Sequence, residues 1–335
     1  MTKISISVCI APHLSVREAI HCASIMISFF IVFSVPTYAA FNDIGVGARP
    51  LGLGGAFVAA ADDGNAMRYN AGGLGYIDDI QLSLTYARHF SGLINYNYAG
   101  IVIPLGGAGS FGASFGLLSE DAKIYKEQTI TFAYSRRLLH QISTGINLKL
   151  FGTSFDESNE WIQENPYFTQ TSTSAFTVDL GLLAKPVDGL NLGIAAENLI
   201  PANVNISDDV PDDDKNIPVN IRLGLAYNLS AIAQSAQQEA LRDILAKTQI
   251  MSEFSIRNGE SEIHLGAEAW VHKTISIRGG YANKSGVHSS SSVAIGASVR
   301  VPISESALQF DYAFQIIMGG LKSNATHRVS TNIVF

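Results

Sequence analysis

Seven ionisable residues lie in segments where polar and apolar positions alternate, and each of them occupies a polar position. In an extended strand, this alternation points the ionisable side chains away from the apolar face. Acids and bases of both signs can neutralise one another, which favours a lattice of ion pairs that braces the structure. A conduction or ligand role is the alternative, because ionisable groups at membrane depth often mark pathways. The seven residues are Asp179, Glu197, Arg222, Glu268, Arg278, Arg300 and Asp311.

Other residues give weaker evidence for a catalytic or metal-binding site. Carboxylate oxygens suit calcium, but the acidic run lacks Asp-x-Asp-x-Asp-Gly spacing, which favours a solvated loop. The chain contains no His-Glu-x-x-His. An embedded lipase or deacylase, whose serine and histidine meet only in space, is the alternative to a protein without enzyme activity. We predict no metal, no cofactor and no catalysis. The acidic run contains Asp208, Asp209, Asp212, Asp213 and Asp214.

A glycine-rich stretch spans residues 45–75 and needs surrounding walls, because each glycine costs extra backbone entropy to order. A nucleotide loop is the alternative, but the third glycine of its motif would fall at Pro50 or Phe57, and no Gly-Lys-Ser/Thr follows. The sequence therefore predicts a compact plug over residues 41–79, held inside something larger. Within it, Ala61-Asp62-Asp63 is predicted to cap a short helix that runs to Asn70.

Composition limits what can hold such a plug. The chain has 335 residues, a net charge of −7 and only 15% charged residues, against about 25% in an average soluble domain. A water-soluble protein so poor in charge would have difficulty covering its surface. The negative net charge and the lack of a Lys/Arg cluster exclude nucleic acid as a partner.

Residues 1–40 are predicted to be a signal peptide. An apolar run from Ile25 to Val35 follows a weakly charged start, and small residues at Pro36-Thr37-Tyr38-Ala39-Ala40 precede a cut. Both cysteines, Cys9 and Cys22, lie in this leader. The mature chain is therefore predicted to have no disulfide and no thiolate site.

After the plug, the apolar pattern has a period of two and predicts about fourteen strands. Their lengths approach the roughly 9 to 11 residues that a tilted membrane strand needs. An even number also suits closure, so we predict an all-β fold, a transmembrane antiparallel β-barrel over residues 80–335. The predicted strands are 80–87, 95–105, 111–117, 130–134, 142–150, 176–182, 190–194, 219–227, 251–257, 263–271, 275–281, 293–301, 308–314 and 327–335.

The predicted connections alternate between long and short, as in outer-membrane barrels with short periplasmic turns. Residues 152–174 and 282–292 are examples of predicted long loops. Residues 231–248 break the rule, because a helical composition stands where a short turn is expected. We interpret them as a helical periplasmic insertion with Ala233, Ala236, Ala240 and Ile244 on one face. We favour a helix that packs on the periplasmic rim of the barrel over a helix that docks a partner.

The last strand ends the chain on an aromatic residue. Its segment HRVSTNIVF places alternate residues on one face. A closing amphipathic strand that ends in Phe resembles the signal read by the barrel assembly machinery, and an ordinary final strand is the alternative. The residues of this predicted signal are Val329, Thr331, Ile333 and Phe335.

The glycine-rich stretch, which reads GARPLGLGGAFVA from residue 47, also resembles a known signature. It is similar to the N-terminal signature of FadL-like outer-membrane proteins, and most similar to the PorV/PorQ branch, named for type IX secretion. The family usually has Asn-Pro-Ala-Gly-Leu where this chain has Asn-Ala-Gly-Gly-Leu from residue 70. The residues that carry the resemblance are Gly47, Arg49, Pro50, Gly52, Gly54, Gly55, Asp62, Asp63, Asn70 and Gly73.

The resemblance implies a location in the outer membrane of a Gram-negative-type bacterium, and two functions. The FadL-like branch implies uptake of hydrophobic or amphipathic small molecules past the plug. The PorV-like branch implies an accessory or shuttle barrel for proteins exported by type IX secretion. The expected partners are outer-membrane lipid, the barrel assembly machinery, and either a hydrophobic small molecule or a secreted protein cargo.

Overall fold

A computed structural model describes most of the chain. The described residues are 41, 44–89, 92–164, 170–206, 216–234, 237–286, 289–318 and 325–335. The predicted signal peptide and the acidic run at 208–214 lie outside these residues. Among the described residues, no helix is long and apolar enough to cross a membrane.

Fourteen antiparallel strands form one closed barrel in which each strand pairs with its sequence neighbours and β1 pairs with β14. This confirms the predicted fold class and strand number. The strands are β1 Gln81–His89, β2 Ile94–Pro104, β3 Ser110–Glu120, β4 Tyr125–Leu139, β5 Ile142–Phe155, β6 Ser172–Val187, β7 Leu190–Glu197, β8 Asn220–Asn228, β9 Thr248–Arg257, β10 Glu260–His272, β11 Ile275–Ser285, β12 Ser290–Ile303, β13 Ser306–Met318 and β14 Ala325–Val334.

The two faces of the wall differ sharply in polarity. In β13, Phe310 and Tyr312 are exposed on the outer face, whereas Asp311 between them is buried on the inner face. The same alternation of exposed apolar and buried polar residues runs through β1, β5, β11 and β14. An outward apolar band with a polar interior is the pattern of a barrel that spans a membrane.

The connections only partly follow the predicted alternation. Long loops join β5 to β6 and β7 to β8, but only Asn258-Gly259 separates β9 from β10 at the same end. The predicted long loop at 282–292 is wrong, because β11 continues to Ser285 and β12 begins at Ser290. Polar residues extend these strands beyond their apolar alternation, so hydrophobic periodicity underestimates their length.

Residues 44–77, which we call the lumenal segment, contain only short helical turns. They comprise α1 Ala48–Gly52, α2 Ala66–Tyr69 and a 3₁₀ turn, Ala71–Tyr76. The prediction of a helix from Ala61-Asp62-Asp63 to Asn70 is wrong in extent. The Asp63 carboxylate accepts a hydrogen bond from the Asn65 backbone N–H. However, the Asp62 and Asp63 carboxylates also bind the Arg49 guanidinium, and this contact holds the chain in a loop.

Between β8 and β9 lie two short helices, α4 Ser230–Ala233 and α5 Glu239–Leu245, where the sequence predicts one. They follow the exposed helix α3, Glu160–Gln163, which lies in the loop between β5 and β6. Ala233 is buried, Ala240 and Ile244 are exposed, and Ala236 lies outside the described residues. The predicted apolar face is therefore not a single packed surface.

Candidate functional site

The lumenal segment lies inside the barrel, because it approaches the inner wall on several sides. Inward-facing glycines permit this approach, since a Cβ added to any of them would overlap the segment. Sequence reasoning missed these wall glycines, although glycine inside a strand commonly marks close backbone approach. The glycines are Gly145, Gly181, Gly193, Gly224, Gly266 and Gly280.

The centre of the lumenal segment is a buried apolar core. Leu53, Phe57 and Leu74 are fully buried and cluster with the wall residues Val102 and Met251. Burial of large apolar side chains contributes about 1.5–3 kcal/mol each. The segment is therefore packed as a core and does not hang loosely in an open pore.

Several glycines of the segment have conformational or steric roles. Gly47, Gly54 and Gly55 have φ values of 78°, 64° and 89°, which favour glycine. Gly52 approaches Gly296 of β12, and a Cβ on Gly73 would overlap the Ala61 carbonyl. Backbone geometry and close packing therefore account for these positions of the family-like signature.

Arg49 joins the lumenal segment to the wall. Its Nη2 donates to Glu268 Oε2 of β10 at 2.8 Å, and its Nε donates to Glu268 Oε1 at 3.1 Å. Its Nη1 binds Asp62 and, at 2.9 Å, Asp63 Oδ2. Pro50 follows in the first turn of α1, where it costs no helical hydrogen bond. One guanidinium thus links two loop carboxylates to a strand.

Burial and charge oppose each other at this site. Burial lowers the pKa of Arg49, but Asp62, Glu268 and Asp63 together outweigh it and raise that pKa well above its usual range. Burial raises the pKa of Asp63, with Arg49 acting against it. Arg49 is therefore a permanent cation whose stability in the lumen depends on its carboxylate partners.

The ion pairs continue around the wall from Glu268. Arg278 Nε contacts Glu268 Oε1 at 2.5 Å, and Arg278 Nη1 contacts Asp311 Oδ1 at 2.9 Å. Arg300 is the exception among the seven predicted lumen charges. It is exposed, binds Gln309 Oε1 at 2.7 Å and lies over the Trp270 ring. Its position near the turn to β13 explains this exposure.

A second network fixes the other end of the segment. Arg68 Nη1 is 3.1 Å from Glu197 Oε2, and Arg222 Nη1 is 3.5 Å from Glu197 Oε1. Arg222 Nη2 also contacts Glu253 Oε1 at 2.5 Å. Glu253 Oε2 in turn accepts the backbone N–H groups of Phe57 and Val58 at 2.9 and 2.8 Å. Sequence reasoning misses Glu253 because Met251 and Ser252 interrupt the alternation of polar and apolar residues in this strand.

Asp179 lies in a third cluster. Lys149 Nζ is 2.8 Å from its Oδ1, and Asn147 Nδ2 is 3.0 Å from its Oδ2. Asn147 also donates to the carbonyl of Met67 at 2.9 Å. The structure therefore brings Asp179, Glu197, Arg222, Glu268, Arg278 and Asp311 into buried pairs with the segment or the wall.

Asn70 holds the turn where the family usually has proline. Its Nδ2 donates to the carbonyls of Val58 and Leu182 at 2.8 and 2.9 Å, and its Oδ1 accepts the Gly72 N–H at 3.0 Å. A side-chain cap therefore positions the 3₁₀ turn against β6.

A cavity of about 590 Å³ lies on the side of the segment nearest the long loops. It is floored by Ile44, Leu51 and Tyr69 and walled by charged side chains of both signs. Such a lining suits polar contacts better than a hydrocarbon. The charged wall residues are Arg222, Arg257, Glu260, Glu262, His264, Lys284 and Arg328.

The C-terminal strand points its predicted signal residues outward. Val329 and Phe335 are exposed, and Thr331 and Ile333 are partly exposed on the same face. The backbone N–H of Phe335 donates to the Ile80 carbonyl at 3.0 Å, beside the junction of β1 with β14. Recognition by the assembly machinery stays a prediction. No group of three or more potential metal ligands occurs among the residues that the structure describes.

Solved structures with similar folds include two toluene transporters and a FadL homologue, all at low sequence identity. The Ralstonia pickettii toluene transporter TbuX matches with a TM-score of 0.57 and 13% identity, covering 88% of this chain and 98% of its own. A Pseudomonas aeruginosa FadL homologue matches at 0.56 and 12%, covering 90% and 99%. The Pseudomonas putida toluene transporter TodX matches at 0.55 and 13%, covering 90% and 98%. At these identities, the likeness shows the fold alone.

The sequence itself places the chain more closely. No curated protein matches it, but the model of the type IX secretion system membrane protein family PorP/SprF matches residues 64–333. Assignment to the PorV/PorQ branch stays a prediction. The chain belongs to the PorP/SprF family of type IX secretion system membrane proteins.

Proposed function

We propose that this protein is an outer-membrane component of type IX secretion that acts through its surfaces while its lumen stays closed. The observation that carries the proposal is the attachment of the lumenal segment by buried ion pairs to β10 through Arg49 and to β7 through Arg68. Removing one partner of a buried pair is costly. The segment is therefore suited to be a fixed plug, and the family match supports a role in protein export.

The partner would be a secreted protein or another component of the export apparatus. The exposed apolar residues Ile232, Leu241 and Ile244 near α4 and α5 support this role at the short-turn end. Exposed apolar patches of this kind commonly mark sites of protein contact.

Uptake of a hydrophobic small molecule is the second candidate. It is supported by a fold that covers nearly all of TbuX, a toluene transporter. The charged lining of the large cavity weighs against an apolar cargo. Uptake would also require the lumenal segment to move and release its ion pairs.

A reversible disulfide between the lumenal segment and the wall would distinguish the two candidate functions. The Ala48 N–H donates to Ser330 Oγ at 2.8 Å, so Ala48→Cys with Ser330→Cys would tie the segment to β14. The chain's own cysteines both precede residue 41. We expect oxidised and reduced forms to restore secretion equally in a deletion strain, measured by mass spectrometry of the medium.

The same variant should be tested in vesicles loaded to report toluene entry. Loss of uptake on oxidation, regained on reduction, would favour the channel. Loss of secretion on oxidation would overturn the proposal of a permanently closed lumen.

A further inference from the structure

Phe41 occupies a defined place inside the barrel. Its ring centroid lies 4.8 Å from that of Phe151. It packs against a cluster that includes Ala202, Val204 and Ile217, beside the loop between β7 and β8. Phe41 is therefore partly buried against an apolar cluster.

Both backbone polar groups of Phe41 have charged partners. Arg257 Nη2 donates to the Phe41 carbonyl at 2.6 Å. Phe41, Glu127 and Arg257 line one cavity, where the Phe41 N–H donates to the Glu127 carboxylate. Glu127 Oε1 also accepts the Tyr125 hydroxyl at 2.7 Å. A carboxylate is thus aimed at the nitrogen of residue 41, and a cation at its oxygen.

The conformation of Phe41 is unfavourable for a residue within a chain. Its φ is 61°, a left-handed value that L-residues other than glycine, asparagine and aspartate seldom adopt. The clash arises with the carbonyl of the preceding residue. It disappears when no residue precedes, because φ is then not defined.

We infer that Glu127 and Arg257 form a receptor for the processed N-terminus, created by cleavage between Ala40 and Phe41. Hydrolysis adds one water across the peptide bond, leaving a carboxylate on Ala40 and an ammonium on Phe41. Two small residues, Ala39 and Ala40, directly precede this bond. The new ammonium pairs with Glu127, turning a hydrogen bond from an uncharged amide to a carboxylate into an ion pair between two full charges.

Cleavage would therefore complete the lumenal structure and not merely remove a leader. Capture of a terminal amine by oriented acceptors is a known mode of recognition. The partly buried Glu127 gains a compensating charge, and the strained φ is relieved. This inference stands independently of the proposed function.

Two measurements on protein extracted from the outer membrane test the receptor. Intact mass and N-terminal sequencing should identify Phe41 as the first residue. An aldehyde selective for α-amines should then label the folded protein at least about tenfold more slowly than the urea-unfolded protein. That factor corresponds to a pKa of the terminal amine raised by one unit through ion pairing.

Glu127→Gln keeps the shape of the side chain but removes its charge, and should restore fast labelling. The matched control Glu160→Gln, in an exposed loop, should label as slowly as the unchanged protein. A different first residue would overturn the inference. Equal labelling of folded and unfolded protein would also overturn it, even if the Glu127 variant does not fold.

Discussion

The inner and outer faces of the same wall obey opposite rules. On β12, Ile295 is 60% exposed, whereas Ser298 on the inner face is 1% exposed. The outer face needs apolar side chains because lipid cannot satisfy polar groups. The inner face needs polar groups because the lumenal segment offers backbone amides and charges. A substitution should therefore be judged by its face and not by its residue type.

The largest effect is expected from breaking the inner charge network. Glu268→Ala leaves Arg49 and Arg278 without their shared carboxylate and should lower the free energy of unfolding by about 3–5 kcal/mol. Urea unfolding of the protein in vesicles measures this. The control Glu160→Ala removes an exposed carboxylate and should change stability by less than about 0.5 kcal/mol. Similar losses of unfolding free energy in both variants would contradict the expected difference between a buried and an exposed carboxylate.

A charge on the outer face should cost somewhat less. Ile295→Arg, midway along β12, should destabilise the protein in vesicles by about 2–4 kcal/mol, because arginine is costly near the bilayer midplane. Ser291→Arg, on the same face near the strand end, should cost about 0–1 kcal/mol. A larger effect at residue 291 than at 295 would show that lipid does not surround this face as described.

The inner and outer faces of the wall can be compared most directly at two adjacent glycines of β11. A Cβ at Gly280 would overlap the backbone of Leu53 and Gly54, whereas at Gly279 it would meet no atom within 4 Å. Gly280→Val should therefore cost about 1–3 kcal/mol through overpacking. Gly279→Val should be neutral. Thermal unfolding followed by gel mobility distinguishes them, and equal melting temperatures would refute the close approach.

The smallest effect concerns a single side-chain cap. Asn70→Ala removes hydrogen bonds to Val58, Leu182 and Gly72 and should cost about 1–2 kcal/mol. The control Asn159→Ala removes one exposed cap, to Trp161, and should cost about 0.5 kcal/mol. Urea unfolding in vesicles compares the two. An equal cost would indicate that Asn70 does not hold the lumenal turn.

Periodicity was sufficient to predict the wall. Because the pleat repeats every two residues, the alternation identified fourteen strands and the inward direction of Asp179 and Asp311. It could not identify the partners of these residues. Which strand lies opposite Arg49 depends on the stagger of the closed barrel, which no local pattern records.

The misses have related physical causes. Arg300 shares the inward register of β12 but lies near its end, where burial depends on depth and not on alternation. Strand ends at Ser285 and Ser290 are polar, so their loop was overestimated. The lumenal helix was overestimated because Asp62 and Asp63 bind Arg49, a tertiary contact that overrides their helix-capping preference.

The attachment of the earliest residues to the latest strand dictates an order of assembly. Arg328 donates to the carbonyls of Ile44 and Gly47, across 284 and 281 positions of sequence. During biogenesis, the start of the polypeptide must wait for its end before these bonds can form. Because β14 also closes the barrel by pairing with β1, the lumenal segment must already lie inside while these two strands pair. Otherwise the segment would have to thread in afterwards through an opening at one end.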